Sequence, residues 1–293
     1  MSARHIPFRK MNGLGNTFVV FDARQEPVTL TAEERRWVAD EAAGGPGFDQ
    51  MITIEKPTVG GMDAFMRIHN ADGGEVDACG NATRCIGWLL MQEANNSFAN
   101  ILTNAGFLKA IDAGEPHMVT VDMGMPRLEW QDIPLAEEFA DTRVIELQIG
   151  PIDDPILHSP SAVNMGNPHA IFWVDNVEAY DLEKIGPLLE HHPIFPERAN
   201  ISLAQLIGEN EIRLKVWERG VGQTRACGTA ACAVGVAAPR KKLTDRKTVI
   251  HLPGGPLAIH WREEDDHVLM TGAIEDEYKG QLDLDARSWT KDH

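Results

Sequence analysis

Cys79-Gly80-Asn81-Ala82-Thr83-Arg84-Cys85 and Cys227-Gly228-Thr229-Ala230-Ala231-Cys232 carry one Cys-Gly-polar-Ala pattern, 148 positions apart in a chain of 293 residues. Self-similarity at a fixed offset is the mark of a repeated architecture. Three further matches keep the same order. Met66-Arg67-Ile68-His69-Asn70-Ala71-Asp72-Gly73 parallels Lys215-Val216-Trp217-Glu218-Arg219-Gly220-Val221-Gly222 at an offset of 149, Gly15-Asn16-Thr17-Phe18 parallels Gly166-Asn167-Pro168-His169 at 151, and Gln50 falls opposite Asn200 at 150. The length suffices for two domains, each with its own core. We therefore expect one domain of residues 1–124 and 273–293 carrying Cys79, and a second of residues 125–272 carrying Cys227. Equivalent groups from the two would face each other across a cleft, a common place for small-molecule sites.

Working outward from the cysteines, Phe18-Val19-Val20-Phe21, Met51-Ile52-Thr53-Ile54, Val119-Thr120-Val121, Ala170-Ile171-Phe172-Trp173-Val174 and Val249-Ile250-His251-Leu252 read as short strands. Helical runs are expected from Asn81 through Leu90 and from Thr229 to Ala238, where Pro239 discourages continuation. Each follows a repeated Cys-Gly. The second is built from small residues, with Gly235 among them, and suits a tightly enclosed position. The fold class is α+β, with two pseudosymmetric domains, each a mainly antiparallel sheet wrapped around a central helix. Gly44-Gly45-Pro46-Gly47 and Pro253-Gly254-Gly255-Pro256 mark loops.

Lys plus Arg number 27 against 44 Asp plus Glu, a net charge of −17, which makes nucleic acid and anionic membranes poor partners. Arg240, Lys241, Lys242, Arg246 and Lys247 form the densest basic cluster, and its place after an apolar helical run suits a helix C-terminus. The first ten residues are charged where a signal peptide would be apolar, and no run reaches the length of a membrane span, so a cytoplasmic protein is expected. In that reducing compartment the four cysteines are not expected to form a disulfide framework.

A cysteine at a helix start is a chemical statement. Free backbone amides and the positive end of the helix dipole are expected to lower its pKa, and the following glycine lets a ligand approach the backbone. The same amides can cradle a carboxylate or developing negative charge. With an amino acid between two such helix starts, one thiolate can remove the Cα proton while the opposite thiol returns one to the other face, inverting the centre. Cys85 and Cys232, inside their helices, read as small core residues. Gaps of five and four residues between cysteines, without a matching His cluster, do not fit zinc, and no metal is expected. Gly13-Leu14-Gly15 lacks the third glycine of a dinucleotide loop and leads into a strand rather than a helix. No organic cofactor is expected either.

Met11-Asn12-Gly13-Leu14-Gly15-Asn16, Gly47-Phe48-Asp49-Gln50, Asn70-Ala71-Asp72-Gly73, Ala78-Cys79-Gly80-Asn81, Met165-Gly166-Asn167-Pro168-His169, Glu218-Arg219-Gly220 and Ala226-Cys227-Gly228-Thr229 together resemble the diaminopimelate epimerase family along nearly the whole chain. The resemblance implies a two-domain pseudosymmetric fold, usually a homodimer, that interconverts LL- and meso-diaminopimelate for lysine and peptidoglycan precursor synthesis. It makes Cys79 and Cys227 the acid/base pair. Gly80, Asn81, Gly228 and Thr229 would bind the proximal carboxylate, with Asn16 and Gln50 lining the site. Asn70, Asn167, Asn200, Glu218 and Arg219 would hold the remote amino-acid end, where Arg219 can grip a carboxylate and Glu218 an ammonium. His169 is expected near the site without an assigned role. Ala82 and Ala230 stand where the family usually has glycine, and Thr17 where it has aspartate, which bears on substrate fit more than on reaction type. Two other readings remain open at this point: a two-cysteine racemase or isomerase for proline, histidine or a small carboxylic acid, and a non-catalytic amino-acid-binding relative.

Overall fold

The structure is a computed structural model that describes residues 4–292. The chain divides into two compact units, one taking the described residues through Val121 together with those from Gly272 onward, the other running Asp122–Thr271.

The first unit comprises β1 (His5–Gly13), β2 (Asn16–Asp22), α1 (Ala32–Ala39), β3 (Gln50–Glu55), β4 (Ala64–Asn70), β5 (Glu75–Val76), α2 (Gly80–Ala94), β6 (Phe98–Thr103), β7 (Gly106–Asp112) and β8 (Met118–Asp122). The end of the chain returns to it with β19 (Glu275–Asp283) and β20 (Ser288–Lys291). β1 pairs antiparallel with β2 and with β19, β3 with β4, and β6 with β7, whereas β2–β3 and β4–β6 are parallel. Alternation along β2 decides the layering. Phe18 and Val20 pack with Ala82, Ile86 and Leu90 of α2, while Val19 and Phe21 pack with Trp37 and Val38 of α1. The sheet is thus covered on both faces, and α2 lies in the larger core.

The second unit repeats the plan with β9 (Gln148–Ile149), β10 (Leu157–His158), β11 (Ser161–Asn164), β12 (Pro168–Trp173), α3 (Leu182–Glu190), β13 (Asn200–Gly208), β14 (Glu211–Glu218), β15 (Gly222–Thr224), α4 (Gly228–Arg240), β16 (Lys247–Leu252), β17 (Gly255–Trp261) and β18 (Val268–Ala273). β12–β13 and β14–β16 are its parallel pairs, and β13–β14 and β16–β17 are antiparallel. The two registers locate the repeat residue by residue. β2 sets Phe18 against Gln50 on β3, and β12 sets His169 against Asn200 on β13, in agreement with offsets of 151 and 150. The hairpins correct the third offset. Ile68 faces Val76 and His69 faces Glu75, as Val216 faces Thr224 and Trp217 faces Gln223, so the spacing is 148 and Asn70, not His69, corresponds to Glu218. A one-residue slip would have sent every side chain to the opposite face, and Ile68 and Val216 are both buried.

The central helices are close-packed in the same way in both units. A Cβ on Gly87 would lie 2.2 Å from the Cβ of Ala110, and one on Gly235 would lie 2.5 Å from Ile259 Cγ2. Small residues bury α4 on nearly every side, from Ala230 to Ala238. Pro239 does not end it. The helix continues to Arg240, because a proline in the last turn forfeits one backbone bond whose acceptor would have been Gly235. α1 and α3 were not visible as hydrophobic runs, yet they occupy equivalent places, with N-caps Thr31 and Asp181.

Candidate active site

Cys79 and Cys227 are the N-cap residues of α2 and α4, both in extended backbone conformation with φ of −146° and −125°, and Gly80-Asn81 and Gly228-Thr229 form the first helical positions. Neither sulfur caps its own helix by a side-chain hydrogen bond. Each unit therefore presents a thiol beside the first-turn amides of a helix, which lie outside the intrahelical hydrogen-bond ladder.

In the first unit, Cys79 is partly exposed, and its Sγ lies 3.8 Å from Asn16 Oδ1, to which it donates. Asn16 opens β2 after a two-residue turn in which Leu14 and Gly15 both have positive φ, 59° and 81°. That geometry is a hairpin turn rather than a nucleotide loop. Asp49 fixes this end of β2: its Oδ2 accepts from Thr17 N at 2.7 Å, from Thr17 Oγ1 at 2.9 Å and from Asn16 Nδ2 at 3.5 Å. Thr17 serves here as a donor to that carboxylate. Behind it, the buried Lys10 donates from Nζ to the carbonyls of Pro46 and Gly47, and burial lowers its pKa. Gln50 and Asn70 are cross-strand partners joined by a 3.1 Å bond from Gln50 Nε2 to Asn70 Oδ1, which leaves the buried Gln50 Oε1 without a partner. Asn81 is buried, and its Oδ1 accepts from Arg84, a wholly buried arginine.

In the second unit, Cys227 is only 5% exposed. Its Sγ lies 3.5 Å from Thr229 Oγ1, and the carboxyl group of Glu218, which accepts from Thr224 Oγ1, is close enough to act on the thiol electrostatically. Glu218 is thus a neighbour of the Cys227 thiol, a contact that a Glu-Arg pair in sequence does not announce. The expected low thiol pKa is not what this environment produces. Burial, and then the Glu218 charge, push the Cys227 thiol well above its ordinary value, outweighing the opposite influence of Thr229 and of the Ala230 amide at the helix start. Burial raises Glu218 as well. Cys85 is pushed up to about 12 by complete burial, as suits a core residue.

In the same unit, Asn200 Oδ1 accepts from Arg219 N at 2.9 Å, and Asn200 Nδ2 donates to Pro168 O at 3.0 Å. Arg219 Nη1 donates to Glu197 O at 2.9 Å. His169 is fully buried, with Nε2 2.8 Å from Asn167 Oδ1 and Nδ1 without a partner. Burial and the Arg219 charge hold it down to about 3, so it is a neutral ring that orients Asn167. Within the second unit Asn167, His169, Asn200, Glu218 and Arg219 form one connected group. Within the first, Asn16 meets Cys79, Asn81 lies in the first turn of α2, and Gln50 and Asn70 are bonded to each other across β3 and β4. Sequence reasoning missed Asp49 and Thr224 as supports, and only their spatial partners reveal them. Among the described residues, no three His, Cys, Asp or Glu side chains are grouped as a metal ion requires. No described helix is long and apolar enough to cross a membrane.

The protein is 58% identical over 278 residues to the diaminopimelate epimerase of Afipia carboxidovorans, covering 95% of each chain, and 55% identical to that of Nitrobacter hamburgensis, covering 94% of each. Among solved structures it resembles a hydroxyproline epimerase from Agrobacterium vitis (TM-score 0.67, 14% identity, 96% and 93% of the two chains). It also resembles a PhzF-family phenazine biosynthesis protein from Bacillus anthracis (TM-score 0.64, 18% identity, 95% and 99%), and at these identities the likeness concerns the fold. The family model for diaminopimelate epimerase matches residues 8–129 and 161–275, which takes in both cysteines, both hairpins and both helix starts, and the chain belongs to that family.

Proposed function

We propose that the protein interconverts LL- and meso-diaminopimelate by a two-base proton transfer at Cα, without organic cofactor or metal. The observation that carries this reading is the repeated placement of a cysteine at the N-cap of each unit's central helix. The mechanism requires the two sulfurs to reach opposite faces of one carbon. Burial and Glu218 favour the protonated form of Cys227, which suits the donor in the half-cycle where Cys79 is the base; the reverse direction exchanges the roles. Amides of Gly80, Asn81, Gly228 and Thr229 would receive the carboxylate on the reacting carbon and the negative charge that develops there. Asn70, Asn167, Asn200, Glu218 and Arg219 would recognise the far amino-acid end, with Glu218 also acting electrostatically on the Cys227 thiol. A site that meets both ends with buried polar groups rejects substrates lacking one of them. We place the protein in the cytoplasm as a homodimer serving lysine and peptidoglycan precursor synthesis.

In heavy water the reduced protein is expected to incorporate deuterium at Cα of diaminopimelate with neither pyridoxal phosphate nor metal added. Cys79→Ala and Cys227→Ala should each slow epimerisation by roughly 10²-fold or more. Exchange into proline or histidine but not diaminopimelate would reassign the substrate, and full activity of either variant would refute the two-base scheme.

A further inference from the structure

Glu190 ends α3 as a carboxylate only 3% exposed, and no step of the reaction uses it. Its two oxygens are divided between two donors on one hairpin. Oε2 accepts from Trp217 Nε1 at 2.7 Å, and Oε1 accepts from the backbone N–H of Gly220 at 2.9 Å, with Arg198 Nη1 3.8 Å from the same oxygen. Between these two anchors lie Glu218 and Arg219. The turn itself is closed by Val221 N donating to Glu218 O at 3.1 Å, with Gly220 at a φ of 74°. The helix also approaches the strand closely, since a Cβ on Gly186 would lie 2.5 Å from the Trp217 ring.

The repeat supplies an internal comparison. With N-caps Thr31 and Asp181 aligned, Asp40 is the counterpart of Glu190, yet Asp40 caps the short 3-10 turn Glu41–Ala43 that follows it, its Oδ1 accepting from Ala42 N at 2.9 Å. The hairpin of the first unit has Asn70 and Ala71 where the second has Glu218 and Arg219. The added carboxylate anchor accompanies the charged hairpin.

We propose that Glu190 is a positioning residue for the reaction: its buried carboxylate pins the turn after β14 and so sets where Glu218 stands against Cys227 and where Arg219 meets the ligand. This rests on the diaminopimelate reading for the role of Arg219, whereas the contact of Glu218 with Cys227 is independent of substrate. Glutamine is the discriminating replacement. Its amide has one acceptor oxygen, so one of the two N–H donors would face an NH2 group instead.

The test compares wild type, Glu190→Gln, Trp217→Phe and Asp40→Asn by steady-state epimerisation, and by iodoacetamide labelling of Cys227 read by peptide mass spectrometry. Glu190→Gln is expected to raise KM for LL-diaminopimelate about tenfold with kcat kept within about threefold, and to change the Cys227 labelling rate by at least about threefold. Trp217→Phe removes one donor and should move both in the same sense by less. Asp40→Asn should change neither by more than about twofold. A purely structural role predicts a loss of active protein with unchanged KM and labelling, and that result in Glu190→Gln would overturn the proposal, as would equal changes in Asp40→Asn. Should Glu190→Gln fail to fold, Trp217→Phe decides, with unchanged KM and labelling counting against it. If wild type does not turn over diaminopimelate, the functional reading falls, and the labelling comparison still judges Glu190.

Discussion

His169 shows how one side chain here is governed by what surrounds it rather than by its own chemistry. It is fully buried beside Arg219, and its pKa falls from 6.5 to about 3. On acidification the unfolded chain takes up a proton on this ring near pH 6.5, while the folded protein does not until about pH 3. Its contribution is therefore fully present above pH 6.5 and is lost progressively below it, at up to about 1.4 kcal/mol per pH unit. Denaturant melts between pH 6.5 and 4.5 should show wild type losing stability more steeply than His169→Phe, and parallel curves would contradict the assignment. The same principle applies to Cys227. A sulfur at a helix start reads as an acidified thiol, but the desolvation of Cys227 and its contact with Glu218 act in the opposite direction and prevail.

At the scale of elements, the close contact of each central helix with a strand is the sharpest constraint. Gly87→Ala places a methyl 2.2 Å from Ala110 Cβ, so backbone or strand must shift. We expect destabilisation of about 1–3 kcal/mol in urea unfolding, largely restored in the double variant Gly87→Ala/Ala110→Gly. A neutral effect of Gly87→Ala would mean the contact is looser than described. The outer helices explain a gap in the sequence reading. α1 buries only Trp37 and Val38, so hydrophobic periodicity is weak, although Thr31 and Glu34 form a capping box of the sort that marks a helix start. α3 contains Gly186 and Pro187, which read as breakers, and the Trp217 ring against Gly186 shows why a larger residue is excluded.

At the scale of the whole molecule, the chain leaves the first unit after Val121 and returns to it at Gly272. β19 pairs with β1 from His5–Asp283 to Asn12–Glu275, and Leu282 belongs to the core that includes Phe8 and Trp37. Truncation before Glu275 is expected to unfold the first unit although both Cys79 and Cys227 remain. Loss of most native circular dichroism and of solubility would confirm this, and a folded, monodisperse fragment would refute it. The duplication, the α+β class, the five strands and the two central helices were legible in the sequence, because periodicity, turn residues and repeated motifs are local along the chain. The hairpin offset of 148, the Asp49 and Glu190 anchors, the contact of Glu218 with Cys227 and the ionisation of that thiol were decided by tertiary structure alone. Burial and hydrogen-bond reach depend on distances between residues far apart in sequence, and no pattern along one segment encodes them.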